Sequence, residues 1–108
     1  VTLYDSPSPE TMGVVLKDDE DNITGFMEKV ENPPSIEVSA GICIYSKRML
    51  DFIPKGEFYD QGRELYPDLL RQGVLLKAFN PKAYVQDTGT KERYEKAQKD
   101  YKNGVMKQ

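Results

Sequence analysis

Tyr84-Val85-Gln86-Asp87-Thr88-Gly89-Thr90 is the stretch whose reading decides the fold. Residues 83–85 read as the end of a short strand, Asp87 sits on the turn that leaves it, Gly89 supplies the bend, and Thr90 offers the hydroxyl of a helix N-cap. A carboxylate at the carboxyl end of a strand, beside a helix start, stands where open α/β sheets place ligand chemistry. The same side chain could instead serve only its own turn, accepting from a backbone amide two residues on. Both readings of Asp87 are open at this point.

Working outward, residues 91–103 have helical spacing, with Glu92 in the first turn complementing the helix dipole and Gly104 as the stop. Tyr94, Ala97 and Tyr101 fall on one stripe, read as core packing rather than a base-stacking platform. Upstream lie a strand over 74–79 and the turn Asn80-Pro81-Lys82. Residues 58–72 read as helical, with Leu65, Leu69 and Leu70 at three- and four-residue steps. Pro67 inside a helix would cost on the order of 3 kcal/mol, so it is expected to open a new helix after a break near Leu65-Tyr66, which Gly73 closes. The run over 38–45 is short, apolar and β-branched, consistent with a strand covered on both faces, and Ser46 then caps a short helix over 47–53.

Residues 13–17 and 23–29 form a β-hairpin around the acidic turn Asp18-Asp19-Glu20-Asp21-Asn22, which lacks the glycine and downstream glutamate of a calcium loop. Glu28 and Lys29 end its second strand before the loop Glu31-Asn32-Pro33-Pro34-Ser35. Adjacent strand residues point to opposite faces, so the two reach one ligand only if the strand breaks there; otherwise they are a solvated strand end. Val1-Thr2-Leu3-Tyr4 is β-prone and begins with no turn or cap, as a chain cut inside a strand would.

The sequence has 108 residues, 38% of them hydrophobic and 31% charged, which fits one small domain or a piece of a larger one. A net charge of -3 argues against general nucleic-acid binding, which needs a basic surface. No apolar run approaches the roughly 20 residues that span a bilayer, and no signal-peptide pattern opens the chain, so a soluble cytoplasmic protein is expected. The lone Cys43 cannot form an internal disulfide, and histidine is absent. That removes Ser-His and Cys-His nucleophiles and the usual zinc sets, leaving carboxylates, cations and hydroxyls, a kit suited to magnesium and phosphate substrates.

Taken in order, the pieces resemble the carboxyl-terminal half of the sugar-1-phosphate nucleotidyltransferases, the NDP-sugar pyrophosphorylases. The matching residues are Met12-Gly13-Val14-Val15, Phe26-Met27-Glu28-Lys29-Val30, Asn32-Pro33-Pro34, Ser39-Ala40-Gly41-Ile42-Cys43, Tyr66-Pro67 and Tyr84 to Thr90. Val30, Ser39 and Val85 stand where the family has proline, asparagine and tryptophan. The resemblance implies an α/β fold, part of a Rossmann-like nucleotidyltransferase domain with a mixed sheet, a β-hairpin and flanking helices, filled by residues 1–108 as its sugar-phosphate-binding part.

It also implies roles. Lys29 and Asp87 would be the catalytic residues, Asp87 as one of two aspartates holding Mg2+ and Lys29 as the contact to the sugar phosphate. Glu28 would accept from sugar hydroxyls, Gly13 and Gly41 would allow close backbone approach, and Ser39 would line the sugar pocket. The partners would be a sugar 1-phosphate and a nucleoside triphosphate, with no nucleic acid or membrane; a homo-oligomer stays open. The family's glycine-rich nucleotide loop and its second aspartate are not among these residues, so the chain alone is expected to be inactive. Two other readings stand beside this one, namely a regulatory homologue that binds sugar phosphate without chemistry and an α/β interaction domain.

Overall fold

The computed structural model describes residues 1–106. Four short strands, β1 (Leu3–Asp5), β2 (Gly13–Lys17), β3 (Ile23–Glu28) and β4 (Glu37–Ser39), form one sheet in the order β1-β4-β2-β3 with every neighbouring pair antiparallel. Among the described residues, a parallel pairing enters only as the bridge between Thr2 and Phe79. The β2–β3 hairpin turns through its acidic loop because Asp18 Oδ1 accepts from the amides of Glu20 and Asn22 at 2.9 and 2.8 Å, while Asp21 takes φ 61°. The Asp18 carboxylate is thus committed to closing the turn.

Strand alternation sorts the core into two faces. Leu3, Val15 and Ile23 join Met49, Leu65, Tyr66, Leu69, Leu76 and Ala78 on the face covered by helical turns. Tyr4, Val14 and Val38 form a smaller cluster on the other face, with Met27 and Val85 packed against it. The covering layer contains a 3-10 helix (Lys47–Phe52), a π turn (Gln61–Leu65) and the helix α1 (Tyr66–Arg71), into which the π turn runs. Pro67 is the second residue of α1, just past the point where the π winding ends, and Gly73 ends the helix at φ +72°. The break expected near Leu65-Tyr66 is absent: both residues take helical angles, and the winding passes from π to α without interruption.

Three strand expectations need correction. The strand over 38–45 stops at Ser39, and Ile42 and Ile44 are 60% and 96% exposed rather than covered on both faces. β-propensity does not make a strand where a pairing partner is lacking: Thr2 bonds to Ala40 and Ile42, and no ladder continues beyond among the described residues. Residues 74–79 contribute only the bridges at Lys77 and Phe79, and residues 83–85 run without strand pairing.

The helix α2 (Lys91–Lys102) begins as expected, with Thr90 Oγ1 accepting from the Arg93 amide at 3.3 Å, and Gly104 follows at φ +74°. Its aromatic stripe is not core. Tyr94 and Tyr101 are 54% and 69% exposed, and α2 buries no side chain. No helix among the described residues is long and apolar enough to cross a membrane.

Candidate functional site

The end of the β2–β3 hairpin supplies the first half of the site. Register places Gly13 opposite Glu28, and a Cβ on Gly13 would lie 2.9 Å from Glu28 Oε2. Glycine therefore lets the Glu28 carboxylate lie across the neighbouring strand. The next residue, Lys29, takes φ 51° while its amide donates to the Met12 carbonyl at 3.0 Å. That left-handed conformation costs a residue with a Cβ about 1 kcal/mol and ends the strand's alternation. Glu28 and Lys29 consequently face one cavity of about 430 Å³, together with Gly13, Ser39 and Gly41. The strand break that a shared ligand requires is present in the backbone.

Ser39 and Gly41 border this cavity from the turn after β4, where Ser39 Oγ accepts from the Gly41 amide at 3.3 Å. Gly41 sits at φ +71° with open space where a Cβ would point, so glycine is required there by backbone conformation rather than by crowding.

The far wall escaped sequence reasoning. Gln61 and Tyr66 line the cavity, and the Tyr66 ring stacks on Phe26 with centroids 4.1 Å apart. Gln61 Nε2 donates to the hydroxyls of Tyr45 and Tyr66, the two hydroxyls lie 2.5 Å apart, and Cys43 Sγ is 3.1 Å from that of Tyr66. Burial pushes the Tyr45 phenol up to about 12 and that of Tyr66 higher still, so both stay neutral and act as hydrogen-bonding groups. No spacing rule links these residues, which meet only because the 40–45 segment crosses the π turn.

Asp87 stands on the opposite rim. It is exposed; Oδ1 accepts from the Gly89 amide at 2.8 Å and Oδ2 from Arg93 Nη1 at 2.5 Å. Arg93 Nη2 donates in turn to Thr11 Oγ1 at 3.0 Å. Asp87, Arg93 and Thr11 border a second cavity of about 690 Å³, which shares Gly13, Lys29, Ser39 and Gly41 with the first. The two readings of Asp87 are therefore compatible, since it closes its turn with one oxygen and reaches a cavity rim common to Lys29. Arg93 and Thr11 were not singled out in the sequence because the bond between them spans 82 positions.

The donor set limits what this site holds. Among the described residues no cluster of three or more His, Cys, Asp or Glu side chains could hold a metal ion. Asp87 offers one hard carboxylate, which suits Mg2+ as a single donor in a set completed by phosphate oxygens, and does not by itself make a metal site. Lys29 makes no ion pair among the described residues, so its ammonium is available to an anion.

The sequence profile of the family described as Nucleotidyl transferase matches residues 1–104. The mannose-1-phosphate guanylyltransferase of Mycobacterium tuberculosis is 32% identical over 98 residues, covering 90% of this chain and 27% of its own length. The UTP--glucose-1-phosphate uridylyltransferase of Synechocystis is 41% identical over 70 residues, 63% of this chain and 18% of its own. The glucose-1-phosphate adenylyltransferase of Clostridium novyi is 32% identical over 108 residues, 93% of this chain and 28% of its own. The chain thus spans at most 28% of the length of these relatives. With the matched profile running through the hairpin, both cavities and α2, the chain belongs to the nucleotidyl transferase family.

Proposed function

We propose that residues 1–108 form the sugar-phosphate-binding part of a sugar-1-phosphate nucleotidyltransferase. In that reaction a phosphate oxygen of the sugar 1-phosphate attacks the α-phosphorus of a nucleoside triphosphate, the α–β phosphoanhydride bond breaks, and pyrophosphate leaves. The observation that carries the reading is the convergence of Gly13, Glu28, Lys29, Ser39, Gly41 and Asp87 on two adjoining cavities. A second observation supports the sugar side. The relatives named above carry guanylyl, uridylyl and adenylyl in their names, yet each matches here, so the matched part holds what different bases have in common.

Lys29 meets the sugar phosphate and offsets its repulsion from the triphosphate, while Glu28 accepts from sugar hydroxyls and fixes the ring. Gly13 and Gly41 leave the backbone approachable, and Ser39 borders the pocket with its hydroxyl hydrogen free to donate. Asp87 is one donor to Mg2+, which when bound neutralises phosphate charge and aligns the reacting groups. The base is read by residues outside this chain. Cytoplasmic residence completes the proposal.

The test is pyrophosphate release by the full-length protein from sugar 1-phosphates and nucleoside triphosphates. Lys29→Ala and Asp87→Asn should each lower turnover by about 100-fold or more, the scale of losing one charge-stabilising group. The 108-residue chain alone should release none. Sugar-phosphate binding without any pyrophosphate release would mark a regulatory homologue instead, and unchanged binding and turnover in both variants would leave only an interaction domain.

A further inference from the structure

Arg93 lies outside every motif that carries the family resemblance, yet it makes the contacts that set the direction of Asp87. Its guanidinium is strung between two elements, with Nη1 on Asp87 Oδ2 at 2.5 Å and Nη2 on Thr11 Oγ1 at 3.0 Å. Thr11 is itself held, donating from Oγ1 to the Ser8 carbonyl at 2.9 Å. At its other end Arg93 is fixed through its amide to the N-cap hydroxyl of Thr90. The Asp87 carboxylate is therefore gripped at both oxygens, by the Gly89 amide and by a cation whose own position is set twice over.

The need for such a grip follows from the fold. Residues 83–90 belong to no strand and α2 buries no side chain; Val85 packs on the smaller cluster, but the exposed Asp87 two residues on is oriented by its polar contacts. Thr11 closes the 3-10 turn Pro9–Thr11 that leads into Gly13, so the same guanidinium ties the rim carrying Asp87 to the strand end carrying Glu28 and Lys29.

We propose that Arg93 is the positioning residue of Asp87, a clamp from the first turn of α2 to Thr11 that aims the carboxylate into the cavity shared with Lys29. The inference rests on the nucleotidyltransferase reading and adds to it a residue on which the second rim depends. Only a planar, forked cation serves both partners at once; a lysine reaches one of them. Partners of this kind typically change metal affinity or activity by about 10- to 100-fold.

The experiment compares Arg93→Ala, Arg93→Lys, Thr11→Val and Asp87→Asn in the full-length protein, reading turnover, the Mg2+ midpoint, KM for sugar 1-phosphate, and amide hydrogen exchange without ligands. Arg93→Ala should lower kcat by about 10- to 100-fold and raise the Mg2+ midpoint while KM for the sugar phosphate holds. Arg93→Lys should recover part of the loss, and Thr11→Val should show a smaller loss in the same direction. Exchange should rise at the Gly89 amide, which donates to Asp87, and stay unchanged along α2. Exchange rising along all of α2, with no rescue by lysine, would make Arg93 a structural strut and overturn the proposal. Full turnover in Arg93→Ala beside a dead Asp87→Asn would overturn it as well while leaving the functional reading intact. Full turnover in Asp87→Asn would instead sink the reading on which the proposal stands.

Discussion

The two rims of the site are held by different physics. The Glu28–Lys29 rim grows out of a hairpin whose neighbours Val14 and Val15 are almost wholly buried, so its geometry is set by packing and strand register. The Asp87 rim has no strand register, and its packing is limited to partly buried residues such as Val85 on the smaller cluster. It belongs to no strand and precedes a helix with no buried residue, and polar tethers hold it: Arg93 to Asp87 and Thr11, and Tyr84 to Asp100 at 2.7 Å. A packed rim resists salt and pH until the whole domain melts, whereas a tethered rim loosens on its own when its charges change. The site thus joins a rigid half to an adjustable one.

The most severe way to break this contrast is to attack the shared foundation. Leu69 is fully buried in the larger core, and Leu69→Ala should cost about 2–5 kcal/mol, measured by urea unfolding. Both rims should then fail together, and loss at the Asp87 rim alone would show that the hairpin does not rest on α1. A smaller effect should fall on one rim only. Thr90→Ala removes the N-cap of α2 and should cost about 1 kcal/mol of local helix stability, seen as faster amide exchange in α2 with the hairpin unchanged.

Gly13→Ala sharpens the comparison from the other side. The added methyl would press on Glu28 Oε2, the movable end of a side chain, so stability should change by less than about 1 kcal/mol. Sugar-phosphate KM should nonetheless rise as Glu28 is displaced; an unchanged KM would remove Glu28 from the sugar site.

The mildest probe is alkaline pH. Loss of solvation, then the bond to Asp100 and its charge, push the Tyr84 phenol from 10.0 up to about 12. A raised folded-state value means that the tether contributes fully below about pH 10 and is lost as pH climbs through about 12. Amide exchange near Tyr84 and Asp100 should increase over that window in wild type. In Tyr84→Phe the increase should be present already at neutral pH.

How much of this was legible in the sequence follows the same division. The hairpin, the helix stop at Gly73, the Thr90 cap and the turn at Asp87 were all readable, because each depends on residues within a few positions of one another. The grouping of Gly13, Glu28 and Lys29 was readable only through the order of motifs, and the backbone break at Lys29 that makes it work was required but not visible. The illegible parts depend on distant partners. Ile42 and Ile44 have the composition of a buried strand, yet nothing among the described residues covers them. Tyr94 and Tyr101 have the spacing of a core stripe, yet both are more than half exposed among the described residues. The Gln61, Tyr45 and Tyr66 wall and the Arg93 clamp arise from crossings that periodicity does not encode.

The left-handed turn of the backbone at Lys29 has a consequence for protein engineering. A residue without a side chain is at ease in that conformation, so Lys29→Gly should make the fold sturdier, or no weaker, by up to about 1 kcal/mol even as it discharges the anion contact. Selection for heat tolerance alone would therefore drift toward losing this lysine, and its retention would report a demand made by the ligand.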